Sequence, residues 1–134
     1  MPSVFTSLIL DVVDVERSLE FYSGLLQLPV RQIDQCDGHR LVYLKTGQTE
    51  ILLIQQPPSD QVDQPDRSSG LVINFLVRSL PDLVSQLESR QVPILRGLEQ
   101  DFYGDRSCLV ADPDGYAVLL SEEGQVISPR VDLF

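Results

Sequence analysis

The residues able to do chemistry are few and scattered. His39 is the single histidine, and Cys36 stands three positions before it. Both fall in a predicted hairpin loop, and two ligands on a loop do not make a metal site. Glu50 opens the apolar run Ile51-Leu52-Leu53-Ile54. It reads as a metal ligand, a general base of raised pKa, or an outward-facing carboxylate. Asn74 interrupts the apolar strand Val72-Ile73-Asn74-Phe75-Leu76. It either hydrogen-bonds a ligand or has a local backbone or water partner. Arg106 follows Tyr103-Gly104-Asp105. It either clamps a substrate carboxylate or phosphate, or pairs with Asp101 or Asp105. Phe102 and Tyr103 in the same loop read as an aromatic lid or as an anchor on a sheet edge.

The elements that must position these side chains are written twice. Leu8-Ile9-Leu10-Asp11-Val12-Val13-Asp14 leads into a helix-like run that exits through Gln27-Leu28-Pro29-Val30. Val72-Ile73-Asn74-Phe75-Leu76-Val77-Arg78-Ser79 leads into a second run that exits through Gln91-Val92-Pro93-Ile94. Such a repeat implies two similar modules. In the first, Asp14 caps a helix whose apolar face is Val15, Leu19, Tyr22 and Leu26. In the second, Ser79 and Asp82 form a capping-box-like pair, with Leu80, Leu83, Val84 and Leu87 as the buried stripe. Strand parity puts Ser7, Ile9 and Asp11 on one face, and Val72, Asn74 and Leu76 on the matching face of the second copy. The opposite faces are uniformly apolar and should cover the helices. Asp112-Pro113-Asp114-Gly115 has the chemistry of a hairpin turn.

Composition bounds the function. Of the 134 residues 43% are hydrophobic, which suits an ordinary globular chain. The net charge is −10, with Lys45 the single lysine, so a nucleic-acid partner is not expected. A cation would be drawn to such a chain, although acidity alone also describes a solvated surface. No run of about 18 apolar residues is present, and Met1-Pro2-Ser3-Val4-Phe5 lacks the basic and apolar regions of a secretory signal. Cys36 and Cys108 have no zinc or redox spacing and read as reduced thiols, so a cytoplasmic location is expected.

The paired βαβββ plan, Asp14 at a strand-helix junction, Phe21-Tyr22 in the first helix and Asp112-Pro113-Asp114-Gly115-Tyr116 before the last strand resemble the vicinal oxygen chelate superfamily. That group includes glyoxalase I, bleomycin-resistance proteins and extradiol dioxygenases. The resemblance runs from about Val4 to Glu123. It implies an α+β fold of two tandem βαβββ modules, whose mixed four-stranded sheets form a concave cleft. The implied organisation is one domain over 1–134, with modules near 3–55 and 70–123 and a linker over 56–69. Catalytic members mostly hold a divalent metal with His and Glu on the first, fourth, fifth and eighth strands. Counted from the capping residues and the turn glycine, those positions fall on Ser7, on Glu50 or Leu52, on Val72 and on Leu119. Serine, valine and leucine cannot replace such ligands. The resemblance therefore implies a small-molecule-binding protein without a metal or other cofactor, with a cation among the ligands that would suit it and with Ser7, Glu50, Asn74, Tyr103 and Arg106 as candidate contacts. The absence of Trp, with only four Tyr and five Phe, is thin for stacking a large planar drug. Two other functions fit the same family: a metal-dependent lyase, isomerase or dioxygenase with displaced ligands, and an interaction module without a small ligand. Members often pair, so a homodimer is expected, with neither a membrane nor nucleic acid as partner.

Overall fold

The computed structural model describes residues 2–58, 66–102 and 104–122. Tyr103 and the tail from 123 to 134 lie outside the described residues, as does half of the expected linker, 59–65. The chain divides into two compact units, 1–65 and 66–134.

In the first unit, β1 (Ser7–Val12) leads to α1 (Val15–Leu19), and β2 (Val30–Cys36), β3 (His39–Thr46) and β4 (Thr49–Gln55) follow. The sheet order is β1-β4-β3-β2, with β1 parallel to β4 and the other pairs antiparallel. Leu10 and Val12 of β1 point to the helix side with Val42, Leu44, Ile51 and Leu53, all buried. Burying each of these leucines stabilises the unit by about 2 kcal/mol. Asp14 caps α1 as expected, its Oδ1 accepting from the Glu16 N–H at 3.0 Å. A cap from elsewhere joins it: Gln55 Oε1, at the end of β4, accepts from the Val15 N–H at 2.8 Å.

The expected helical stripe needs correction. After Leu19 the helix widens into a π-helical turn, Glu20–Leu25, where the Leu26 N–H reaches back five residues to Phe21 O at 3.1 Å. The wider turn rotates the register. The buried set is Val15, Ser18, Phe21, Tyr22 and Leu25, whereas Leu19 and Leu26 are only half-buried. His39 is also corrected. It opens β3 opposite Cys36, because β2 and β3 run up to a two-residue Asp37-Gly38 turn. Both turn residues have positive φ, 52° and 81°, as the tight hairpin turn that matches strand twist requires.

The second unit repeats the plan with β5 (Val72–Leu76), α2 (Leu80–Ser89), β6 (Ile94–Gln100), β7 (Arg106–Ala111) and β8 (Ala117–Glu122). Its order is β5-β8-β7-β6, again with the outer helix-entry strand parallel to its neighbour. Leu80, Leu83 and Leu87 of α2 are buried with Cys108, Val110, Val118 and Leu120. Both helices exit through a left-handed glutamine before the proline, Gln27 at φ 63° and Gln91 at φ 60°. The turn before β8 is built on buried Asp112, whose Oδ1 accepts from the Asp114 and Tyr116 N–H groups, both at 2.9 Å. Gly115 takes φ 91°, where any Cβ would be strained.

The capping box expected at α2 does not form. The Ser79 hydroxyl donates to Asp82 Oδ2 at 2.7 Å, and Ser79 makes no side-chain bond to the helix backbone. The Leu80 N–H donates instead to Glu122 Oε2 at 2.5 Å. Glu122 stands at the end of β8 as Gln55 stands at the end of β4, so each unit caps its helix from the end of its parallel partner strand.

Candidate functional site

The two parallel pairings give the repeat an atomic register, which settles the fourth-strand position. Ser7 pairs with Glu50 and Ile9 with Leu52 in the first unit. The counterparts in the second unit are Val72 with Ala117 and Asn74 with Leu119. Leu52 is therefore the equivalent of Leu119, and Glu50 is the equivalent of Ala117. With this register, the ligand positions that the resemblance implies fall on Ser7, Leu52, Val72 and Leu119. One hydroxyl and three hydrocarbon side chains do not fit a divalent ion, which needs imidazole, thiolate or carboxylate donors. Among the described residues, no three His, Cys, Asp or Glu side chains come together to hold a metal.

Glu50 has another occupation. Arg31 donates to it through Nη2 at 3.1 Å and through Nε, and the guanidinium lies 4.9 Å from the Tyr43 ring centroid. Arg31 reaches that face because β2 bulges between Val30 and Gln32, which re-aims one side chain. The Arg31 hydrogen bonds hold the Glu50 carboxyl below the usual carboxylate range. That is opposite to the raised pKa of a general base. Glu50 faces outward beside Ser7, in a shallow depression with Arg31, Lys45 and Phe5.

Asn74 and Arg106 meet in the second unit. A pocket of about 400 Å³ takes in Asn74, Leu76, Ser107, Leu119 and Ser121 of the sheet face away from α2. Its strand-end wall is Arg106 and Glu122, and Glu99, Gln100, Asp101 and Asp105 close the side. Asn74 has the local partner: Ser121 Oγ donates to its Oδ1 at 2.8 Å. The Asn74 Nδ2 amide has no partner among the described residues.

Arg106 is paired, but not with Asp101 or Asp105 as expected. It donates to Glu122 Oε1 through Nε at 3.0 Å and through Nη2. Glu122 is only 6% exposed. The Leu80 backbone N–H first, and then Arg106, hold its carboxyl below the ordinary range. Arg106 is thus fixed on a helix-capping carboxylate and is not poised as a clamp. Phe102 is 93% exposed, which removes the sheet-edge anchor reading for that ring. Burial pushes the Cys108 thiol up, and Cys36 is exposed; both are free cysteines.

Sequence reasoning missed Glu122, Gln55 and Arg31. The repeat carried a signal for the first two: aligned on Leu52 and Leu119, both stand three residues further on, as polar ends to apolar strands. Arg31 carried none, because a bulge decides its direction.

Residues 5–120 match the model of the Glyoxalase/Bleomycin resistance protein/Dioxygenase superfamily. Among solved structures, a glyoxalase family protein from Bacillus cereus superposes with a TM-score of 0.79 at 16% identity, covering 89% of this chain and 93% of that one. Glyoxalase I of Leishmania major, described as trypanothione-dependent, superposes with a TM-score of 0.73 at 25% identity over 91% of this chain and 88% of that one. TnmS3, an antibiotic binding protein from Streptomyces sp. CB03234, gives 0.67 at 19% identity over 92% and 98%. No curated protein matches the chain. No helix among the described residues is long and apolar enough to cross a membrane.

Proposed function

This chain belongs to the glyoxalase/bleomycin resistance protein/dioxygenase superfamily, and we propose that within it the chain is a metal-independent small-molecule-binding protein. One observation carries the reading: Ser7, Leu52, Val72 and Leu119 stand at the four ligand positions. A scaffold that keeps its sheets and loses its donors retains a surface for organic ligands, and fold alone does not decide chemistry. The second unit supplies a pocket at one of those positions, with Leu119 in its floor and the Asn74 amide beside it. Its size suits a small organic molecule. The antibiotic binding protein among the structural neighbours is a precedent for binding on this fold.

The test is a thermal-shift screen of small metabolites and cationic drugs, run in chelator and again with added divalent metals. A ligand of the native state raises the midpoint. Hits of equal size in both arms support the proposal. Hits that vanish in chelator and return with metal contradict it.

A second reading, pairing with another copy, is favoured by exposed apolar side chains on the sheet faces. Ile9, Val72 and Leu76 are 58%, 53% and 70% exposed. Light scattering at increasing concentration tests it, with a dimer mass expected and a concentration-independent monomer mass contradicting it.

A further inference from the structure

The depression of the first unit carries the opposite charge to the chain. Around a volume of about 570 Å³ it gathers Arg31 and Lys45 against a single carboxylate, Glu50. The chain as a whole carries −10, and Lys45 is its only lysine. Glu50 is already engaged, because Arg31 holds it through Nε and through Nη2 at 3.1 Å. That leaves Lys45. Its ammonium makes no hydrogen bond or ion pair among the described residues, and it meets Glu50 only as a longer-range attraction. One positive charge therefore remains over in the depression.

Two features of the lining set Lys45 apart from a solvated surface lysine. One is the hairpin turn that follows it. Thr46 pairs with Thr49, and Gly47 takes φ 59° at the first central position. The Gly47 and Gln48 N–H groups at the tip donate to nothing among the described residues. Successive unpaired N–H groups in a turn favour an anion. The other feature is an apolar shelf. The Glu50 N–H donates to Thr6 O at 3.1 Å, which seats the segment before β1 against the start of β4. Val4 and Phe5 of that segment line the same depression, 69% and 67% exposed. Apolar surface left this open gains free energy when a ligand covers it.

We propose that this depression takes a small organic anion: a carboxylate carried on an apolar body, the charge on Lys45 and the Gly47-Gln48 turn and the body on Val4 and Phe5. The site goes beyond the reading above and does not depend on the pocket of the second unit. A cation gains nothing here, since Glu50 is paired and Lys45 repels it. Attraction to one exposed ammonium changes affinity severalfold and weakens with salt.

Three probes of one shape and different charge test it: hydrocinnamate, phenethyl alcohol and phenethylammonium. Binding is followed by amide chemical shifts in chelator. Hydrocinnamate should shift the amides of Lys45, Gly47, Gln48 and Thr49. It should exceed the alcohol by about threefold to fivefold, with the margin shrinking as salt is raised. Phenethylammonium should bind no better than the alcohol. As the only lysine, Lys45 gives a single lysine signal after isotopic reductive methylation, which keeps its charge, and hydrocinnamate should move that signal. Lys45→Gln should lower hydrocinnamate to the affinity of the alcohol, and Lys45→Arg should keep most of the margin. Phe5→Ser removes part of the shelf without touching any charge, and should weaken hydrocinnamate and the alcohol alike.

Equal binding of all three probes overturns the charge class, as does a Lys45→Gln variant that binds hydrocinnamate like wild type. Shifts confined to residues 66–122, or no response to millimolar hydrocinnamate, overturn the site itself and leave metal-independent binding in the second unit standing.

Discussion

Glu122→Ala removes the group that ties α2 to its sheet. The Leu80 N–H is in a fully buried residue, and its acceptor is Glu122 Oε2 at 2.5 Å. A buried donor left without an acceptor costs about 1–3 kcal/mol. The Arg106 contact adds up to about 1 kcal/mol, because the arginine side chain is 35% exposed and solvent screens the pair. Together these put Glu122→Ala at about 1–4 kcal/mol. Glu122→Gln keeps an oxygen for the Leu80 N–H and loses only the charge, so about 1 kcal/mol is expected. Urea melts followed by circular dichroism, with slopes compared, read these values. The pH dependence has a definite sign. The folded carboxyl is held below its unfolded value, so its contribution is complete above the unfolded pKa of about 4.3 and is lost as pH falls through the folded pKa. The gap between wild type and Glu122→Gln should therefore close in acid. An alanine variant within about 0.5 kcal/mol of wild type would refute the capping account, as would a glutamine variant as damaged as the alanine one.

The other turns and caps give sharper contrasts in sign. Asp112→Ala strips the Asp114 and Tyr116 N–H groups of their acceptor, and urea melts should show a loss of about 2 kcal/mol. Gln91→Gly relieves a left-handed glutamine at the exit of α2, and the same melts should show a gain of about 0.5–1 kcal/mol. Glu50→Gln should leave the urea midpoint essentially unchanged, since Arg31 is 41% exposed and solvent screens the pair.

What the sequence made legible were features decided by local hydrogen bonds at fixed offsets. Asp14 caps α1 two residues on, and the Asp112 turn closes within four residues, so both could be read from spacing alone. The sheet faces were legible too, because Leu10 and Val12 against Ile9 and Asp11 follow the period of two. Features joining distant residues were not. Gln55 caps a helix 40 residues earlier and Glu122 one 42 residues earlier, and no local pattern announces such a partner. The π-helical turn over Glu20–Leu25 moved the buried stripe with no proline to mark it, and Ser23-Gly24 inside it is too common a pair to announce it. At the candidate site, Asn74 was found by its polarity in an apolar strand. Whether Glu50 or Leu52 matched Leu119 depended on strand register, which only the pairing of β1 with β4 determines.

The central claim is that the scaffold persists without its metal. Elemental analysis of protein purified without chelator, followed by calorimetric titration with zinc, nickel, manganese and iron(II), tests it most directly. The donor set at Ser7, Leu52, Val72 and Leu119 predicts metal far below one equivalent and no saturable heat. One tightly held equivalent per chain, or a saturable one-to-one titration, would contradict the account.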